Sequence, residues 1–274
     1  MPTLAQSSPC KSLPNHALDS AAALEFLESE IQRIAQLAVI ADPTAPVPGC
    51  PNWTLADVVR HAGSVHRVVS TLVERLSPEQ IDPRTIDLHV PLRVEEYGEW
   101  FAAGGAHLLE VLRAADPRAT VYSWAGVPTV AFWIRRMLHE TTVHRLDAER
   151  AAGRVEPVDQ TVAIDGIDEF LENLPFVPQM RAGSPVRDLH GDGETIHLHA
   201  TDVSSDGDDG EWLITLEPHG FRWSHAHVKG AAAVRGSVTD LLLFVWGRRK
   251  SDDPAFALFG DSALLAYWSS KAVF

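Results

Sequence analysis

The sequence predicts an α+β protein, a four-helix bundle followed by a smaller domain of strands and helices. Two patterns carry that prediction. Up to about residue 153 the apolar residues recur at the spacing of amphipathic helices, in four runs separated by connectors rich in proline or glycine. From Thr195 the spacing becomes two-residue alternation, in T-I-H-L-H-A, E-W-L-I-T-L-E and F-R-W-S-H-A-H-V, as expected of antiparallel strands. The boundary falls near residue 157, which divides the chain into a disordered leader at 1–18, a bundle at 19–157 and a C-terminal α+β domain at 158–274.

The first helix starts at Asp19 or Ser20, either a fair N-cap, and runs through Ile31, Ile34 and Leu37 to about Ala41. The connector D-P-T-A-P-V-P-G-C-P cannot be helical. Thr54 caps the second helix, with Asp57 placed for a capping box. Val58, His61, Val65, Val68 and Leu72 form its apolar seam. His66 stands at the opposite edge of the same arc, with Val59, Ala62 and Val69. After a loop at 77–92, a third helix spans about 93–115, where Gly104-Gly105 permits close packing or a bend. The fourth helix takes Pro128 in its first turn and ends at Gly153 as its C-cap. In the second domain a short helix, Ile164 to Leu174, is closed by Pro175. A hairpin-like turn, S-S-D-G-D-D-G, joins the first two strands. A helix from Val238 to Trp246 and a helical G-D-S-A-L-L-A-Y-W complete the chain.

Composition narrows the function. The chain has 274 residues, 45% hydrophobic and 22% charged, as in soluble globular proteins. A formal net charge of −14 argues against nucleic acid or an anionic membrane as partner. Cys10 and Cys50 form no C-x-x-C pair and no disulfide framework, so a thiol used in chemistry would arrive as a small molecule. Pro2, Pro9 and Pro14 interrupt the first residues, no signal-peptide core is present, and no apolar run reaches membrane-spanning length. The chain reads as cytoplasmic, a monomer or homodimer. Thirteen histidines make metal binding a question worth asking, although scattered surface histidines account for most such counts.

The fourth helix gives that question a place. Trp133, Met137, Glu140, His144 and Ala148 share one stripe, while Arg135, His139, Arg145 and Glu149 point away as solvent-type residues. A carboxylate and an imidazole thus sit in the middle of an apolar face, where an unpaired charge is costly. A metal ion compensates that cost; so does a Glu–His hydrogen bond within the bundle. The spacing is not H-E-x-x-H, since here four residues separate Glu140 from His144. A zinc site needs a third ligand. His61 and His66 are both on the helix that would supply it, and periodicity does not choose between them. His197 with His199, and His225 with His227, alternate so that each pair faces one side of its strand, which allows a second metal site. Histidines on the polar side of a half-covered sheet are also ordinary.

The phrases P-N-W-T-L-A-D-V-V-R-H, S-W-A-G and F-W-I-R-R-M-L-H-E-T-T-V-H-R-L-D-A-E resemble the maleylpyruvate-isomerase-like, mycothiol-dependent metalloenzymes, within the broader DinB-like (YfiT-like) four-helix-bundle superfamily. V-R-G-S-V-T-D-L-L-L-F-V-W-G-R and G-D-S-A-L-L-A-Y-W resemble that family's sterol-carrier-like C-terminal domain. The resemblance runs from about residue 19 to the end. It implies a metal triad of His61, Glu140 and His144, and so selects His61 over His66. The leader and the S-S-D-G-D-D-G insertion depart from the pattern.

The implied activity is that of a zinc-dependent enzyme that activates mycothiol as a metal-bound thiolate for attack on a small electrophile. The outcome is addition–elimination isomerisation, S-transfer or thiol exchange. Arg248, in W-G-R, is the expected catalytic and cofactor-binding cation, facing a carboxylate or a polar thiol; an arginine closing a helix C-terminus is the plainer role for it. Arg145 and Asp147 are expected to support the site from behind or to brace the two domains against each other. The alternatives are a metal-dependent hydrolase using metal-bound hydroxide and a non-catalytic carrier of a small apolar ligand. A role in DNA damage, which the superfamily's name suggests, conflicts with the charge.

Overall fold

A computed structural model describes residues 18–203 and 209–274. The expected leader and most of the S-S-D-G-D-D-G turn lie outside the described residues. The N-terminal region is built from four main helices: α1 (Ser20–Ile40), α2 (Leu55–Glu74), α3 (Tyr97–Ala114) and α4 (Val130–Ala151). Their starts are set by local chemistry. Asp19 accepts from Ala22 N at 2.8 Å, and Thr54 and Asp57 form the reciprocal capping box. Thr129 caps α4 by accepting from Phe132 N, so Pro128 lies one residue before the N-cap rather than in the first turn. Gly153, at φ +75°, takes the left-handed conformation that ends α4.

Each of α1 and α2 packs on both α3 and α4, which leaves α1 and α2 diagonal in the bundle. The two glycines of α3 serve close approach. A Cβ on Gly105 would stand 2.5 Å from Ile31 Cγ2 of α1, and one on Gly104 would meet the Arg67 guanidinium of α2 at 2.1 Å.

The C-terminal region is α/β. It begins with α5 (Gln160–Asn173), capped by Asp159 and therefore longer at its start than the apolar pattern suggests. The one-turn α6 (Val177–Met180) follows. Among the described residues one five-stranded mixed sheet runs β3-β2-β1-β4-β5, from β1 (Thr195–Ala200), β2 (Glu211–Glu217), β3 (Gly220–His225), β4 (Ala232–Gly236) and β5 (Ala257–Gly260). The expected antiparallel set covers β1 to β3 only; β4 pairs parallel with β1 and antiparallel with β5. Ile196, Leu198, Trp212, Ile214 and Val234 are buried on one face. That face meets α5 through Asp168 on Trp212 Nε1 at 2.6 Å, α7 (Val238–Val245), and α8 (Ser262–Lys271) through Trp268 against Phe221. No helix among the described residues is long and apolar enough to cross a membrane.

The two regions meet on α4, and there the solvent face expected of that helix is absent. His139, Arg145 and Glu149 are buried, and only 16% of the Arg135 side chain is exposed. The reason is that α1 and α5 bring opposite charges to them. Arg135 binds Asp165 at 3.0 Å and Glu172 at 2.5 Å, and His139 binds Asp165 at 2.6 Å. Arg136 binds both oxygens of Glu169 at 2.8 and 2.7 Å, and Arg145 binds Glu30 at 2.6 Å. Buried ion pairs of this kind add little over apolar packing, but losing one partner strands the other.

Burial opposes the ionised form of Asp165, yet His139 and Arg135 outweigh it and hold the carboxyl down to about 2. Its contribution to stability is therefore present above the ordinary carboxyl range and is lost as pH falls through that range toward about 2. Asp165→Ala is expected to destabilise the protein by about 3–5 kcal/mol at neutral pH. The deficit should shrink on acidification, as read by chemical denaturation at a series of pH values.

Candidate metal centre

Three side chains of the sequence-predicted triad come together between α2 and α4. His61 Nε2 stands 3.2 Å from Glu140 Oε1, and His144 Nε2 stands 3.3 Å from the same oxygen. All three donor atoms lie within 4.8 Å of one another. Donors around a tetrahedral ion with bonds of about 2.0–2.1 Å stand roughly 3.3–3.4 Å apart, so two imidazoles and a carboxylate at these separations fit a zinc-type ion.

His66, the other candidate on α2, faces elsewhere. It is fully buried one turn further on, with Nε2 at 2.9 Å from Thr141 Oγ1. Burial pushes its pKa down to about 3, so it is a neutral core histidine.

Each of the two α4 donors is held from behind. His144 Nδ1 lies 3.1 Å from Asp147 Oδ2, which leaves Nε2 free to present a lone pair, the usual arrangement behind a ligating histidine. Arg136 Nη2 donates to Glu140 Oε2 at 3.2 Å while its Nη1 is occupied by Glu169 of α5. Burial disfavours the Glu140 carboxylate, but His144 and His61 more than offset it and keep the carboxyl well below its usual range. Burial likewise works against a charged His144, and Asp147 and Glu140 overcome it, raising His144 to about 9.

Arg248 is brought to this centre, though its guanidinium is largely committed. Nε and Nη2 donate to Asp147 at 3.1 and 3.0 Å, and Nη1 donates to the Trp246 carbonyl at 3.0 Å, just past the end of α7. It therefore closes a helix terminus and braces Asp147 at once, with 19% of the side chain exposed. Asp147 stands directly behind the site. Arg145 does not: it ties α4 to α1 and to the Glu156 carbonyl.

The connector before α2 completes the walls. Asn52, at φ +67°, turns the chain so that Trp53 stacks on His144 with ring centroids 6.0 Å apart and meets His61 edge-on at 5.1 Å. Gly49, at φ +88°, lets the connector touch the far domain, since a Cβ there would lie 2.8 Å from the Arg248 carbonyl oxygen. A recess of about 290 Å³ opens beside His61, lined by Asn52, Trp53, Asp57, Arg60, His61 and Ser64. These lining residues all come from the N-terminal region; the C-terminal region reaches the centre from behind, through Arg248. Trp53 and Arg136 were not singled out as site residues by sequence reasoning. P-N-W-T and W-I-R-R contain them, but nothing in their spacing announces a contact with the triad.

The N-terminal part matches the family signature described as "Mycothiol maleylpyruvate isomerase N-terminal domain" over residues 25–149, and the remainder matches "MDMPI C-terminal domain" over residues 161–267. Among solved structures, the chain is similar to the mycothiol-dependent maleylpyruvate isomerase at 12% identity, with a TM-score of 0.57, 88% of this chain and 93% of that chain covered. A His-to-Ala variant of that enzyme aligns at 11% identity with the same TM-score and coverage. At such identity the likeness concerns the fold. No curated protein sequence matches.

Metal uptake has to displace a proton from His144 at any pH below about 9. Affinity is therefore expected to rise with pH toward about 9, by up to about tenfold per unit for that one proton. Asp147→Asn is expected to weaken binding by about 10–100-fold without unfolding the chain. Competition titrations with a metal-binding dye, run at several pH values on both proteins, measure the two effects.

Proposed function

The chain belongs to the mycothiol maleylpyruvate isomerase family, and from that premise we propose that it is a metal-dependent thiol enzyme. In this reading His61, Glu140 and His144 hold a divalent ion, zinc by donor type, and mycothiol is the thiol that attacks a small electrophile. The observation that carries it is the convergence of three donor atoms beside an open recess, with each α4 donor braced by a buried counter-charge. A divalent ion there supplies the positive charge that lowers the pKa of a thiol brought to it, which an ordinary thiol near 8.5 requires at about neutral pH.

The protein's own groups do the remaining work. Asp147 fixes the His144 ring, and Arg136 prevents Glu140 from swinging toward solvent. Trp53 covers one side of the imidazoles and keeps water from that flank. Asn52, Arg60 and Ser64 offer a polar rim suited to a hydrophilic thiol. Arg248, one-fifth exposed behind Asp147, is the cation we assign to a substrate carboxylate or a polar group of the thiol.

Thiol addition to a conjugated double bond, rotation about the resulting single bond and re-elimination of the thiol gives cis–trans isomerisation. Attack at a carbon bearing a leaving group gives S-transfer. Both outcomes use the same activated sulfur, and both partners are small molecules.

His61→Ala is expected to lose about one zinc per chain relative to the wild type, and the wild type to turn over a maleyl-type or other electrophilic acceptor only when mycothiol is present. Absence of metal from carefully prepared wild type overturns the proposal, and metal with thiol-independent turnover points to hydrolysis instead. Arg248→Ala is expected to raise KM for thiol or acceptor by about tenfold or more while metal content is kept. Loss of metal in that variant would restrict Arg248 to bracing Asp147.

A further inference from the structure

A second group of metal-type donors stands on the sheet face turned away from the helices. His197 and His199 alternate along β1, and Glu211, the first residue of β2, lies directly across from His199. The fourth member arrives by a departure from the strand pattern. His225, the last residue of β3, turns to the helix side and reaches Asp168 of α5 at 3.1 Å. The chain then leaves the ladder, and His227 comes over the opposite face instead of sharing a side with His225.

The three rings form a nearly equilateral triangle, with centroids 6.0, 5.9 and 5.9 Å apart. The Glu211 carboxylate sits among them. Oε2 is 2.5 Å from His197 Nε2, and Oε1 is 2.8 Å from His227 Nδ1 and in contact with His199 Nδ1. One ligand atom from each residue lies within 4.8 Å of all the others.

A histidine–carboxylate hydrogen-bond cluster explains this poorly. One carboxylate is balanced by one imidazolium, so two of the three rings would be surplus. His197 Nε2 and Glu211 Oε2 are moreover buried and close, yet neither has a hydrogen-bond partner. A cation among these donors would give both lone pairs a partner and hold the two atoms roughly 3.3 Å apart, wider than their 2.5 Å contact.

We propose that His197, His199, Glu211 and His227 form a second site, for a divalent transition-metal ion of the zinc type. Imidazole and carboxylate donors suit zinc, and four protein ligands complete its tetrahedron with no open position. The site is therefore structural. Three ligands stand on paired strands, whereas His227 lies in an irregular segment, 226–231, with 71% of its side chain exposed. The ion clamps that segment to the sheet, and with it the exposed Lys229, a cleavage point for trypsin.

The test uses the full chain without a histidine tag, in a His61→Ala/His144→Ala background that removes the first centre. Titration with cobalt(II), followed by visible absorption, is expected to show about one equivalent bound. Adding His199→Ala/His227→Ala should weaken that binding on the order of a hundredfold or more. Zinc should also slow tryptic cleavage after Lys229 in the background protein, chelator should reverse this, and His227→Ala should be insensitive to either. Circular dichroism verifies that each variant is folded. A background protein that binds no cobalt or zinc overturns the second site, as does binding undiminished by the added substitutions. Should the first centre alone prove wrong, wild type and background would each bind one ion, and only the strand-site variants would lose it.

Discussion

The structure depends on the neutralisation of a single polar helix. α4 lies between the bundle and the C-terminal domain, is buried along most of its length, and carries Arg136, His139, Glu140, His144, Arg145, Asp147 and Glu149 into that position. None of these charges is tolerable without a counterpart, since an isolated buried ion costs several kcal/mol, about what a whole domain has to spare. Some pairs form within α4, Arg145 with Glu149 and His144 with Asp147 among them, and other elements supply the rest: Glu30 and Arg33 from α1, His61 from α2, Asp165 and Glu169 from α5, and Arg248 from the turn after α7. Assembly of the bundle and docking of the second domain are thus one electrostatic problem solved on one helix.

That solution also fixes the metal-type donors. Glu140 shares Arg136 with Glu169, and His144 shares Asp147 with Arg248, so both α4 donors are tied to residues of the C-terminal domain. A side chain held at both ends has little rotamer freedom left to lose when it binds something. The third donor, His61, has no such brace among its described contacts beyond Trp53 and the triad itself, and its side chain is 40% exposed. The centre is rigid on the α4 side and open on the α2 side, where the recess lies.

The elements most easily read from the sequence were those with local signals. Thr54 with Asp57, Asp19 and Gly153 mark helix ends through bonds made within a few residues, whereas of the seam expected on α2 only Val58 and Leu72 are buried, and the core takes the edge with Val59, Ala62, His66 and Val69. What escaped depends on distant partners. His139, Arg145 and Glu149 have the composition of a solvent face, and only the approach of Asp165, Glu30 and Arg33 makes them buried. The strands β4 and β5 are short and weakly alternating, and the parallel pairing of β4 with β1 leaves no mark on either segment. His61 and His66 occupy opposite edges of one apolar arc, so periodicity could not separate them. Thr141 is the partner of one and Glu140 of the other, and that difference lies on another helix.

The two histidine–carboxylate clusters show why donor identity alone does not define a function. Both bring imidazole nitrogens and a glutamate oxygen within 4.8 Å of one another. The α2–α4 centre has three donors, a recess at its edge and an aromatic wall, so an ion held there would keep a fourth position for a small molecule from the recess. The strand cluster has four donors, which fill a tetrahedron and leave nothing to exchange. One more histidine, delivered where the chain peels away after His225, converts a potential reaction centre into a fastener. The distinction therefore lies in the path of the backbone around each cluster, since that path sets how many ligands arrive and whether a substrate can follow them.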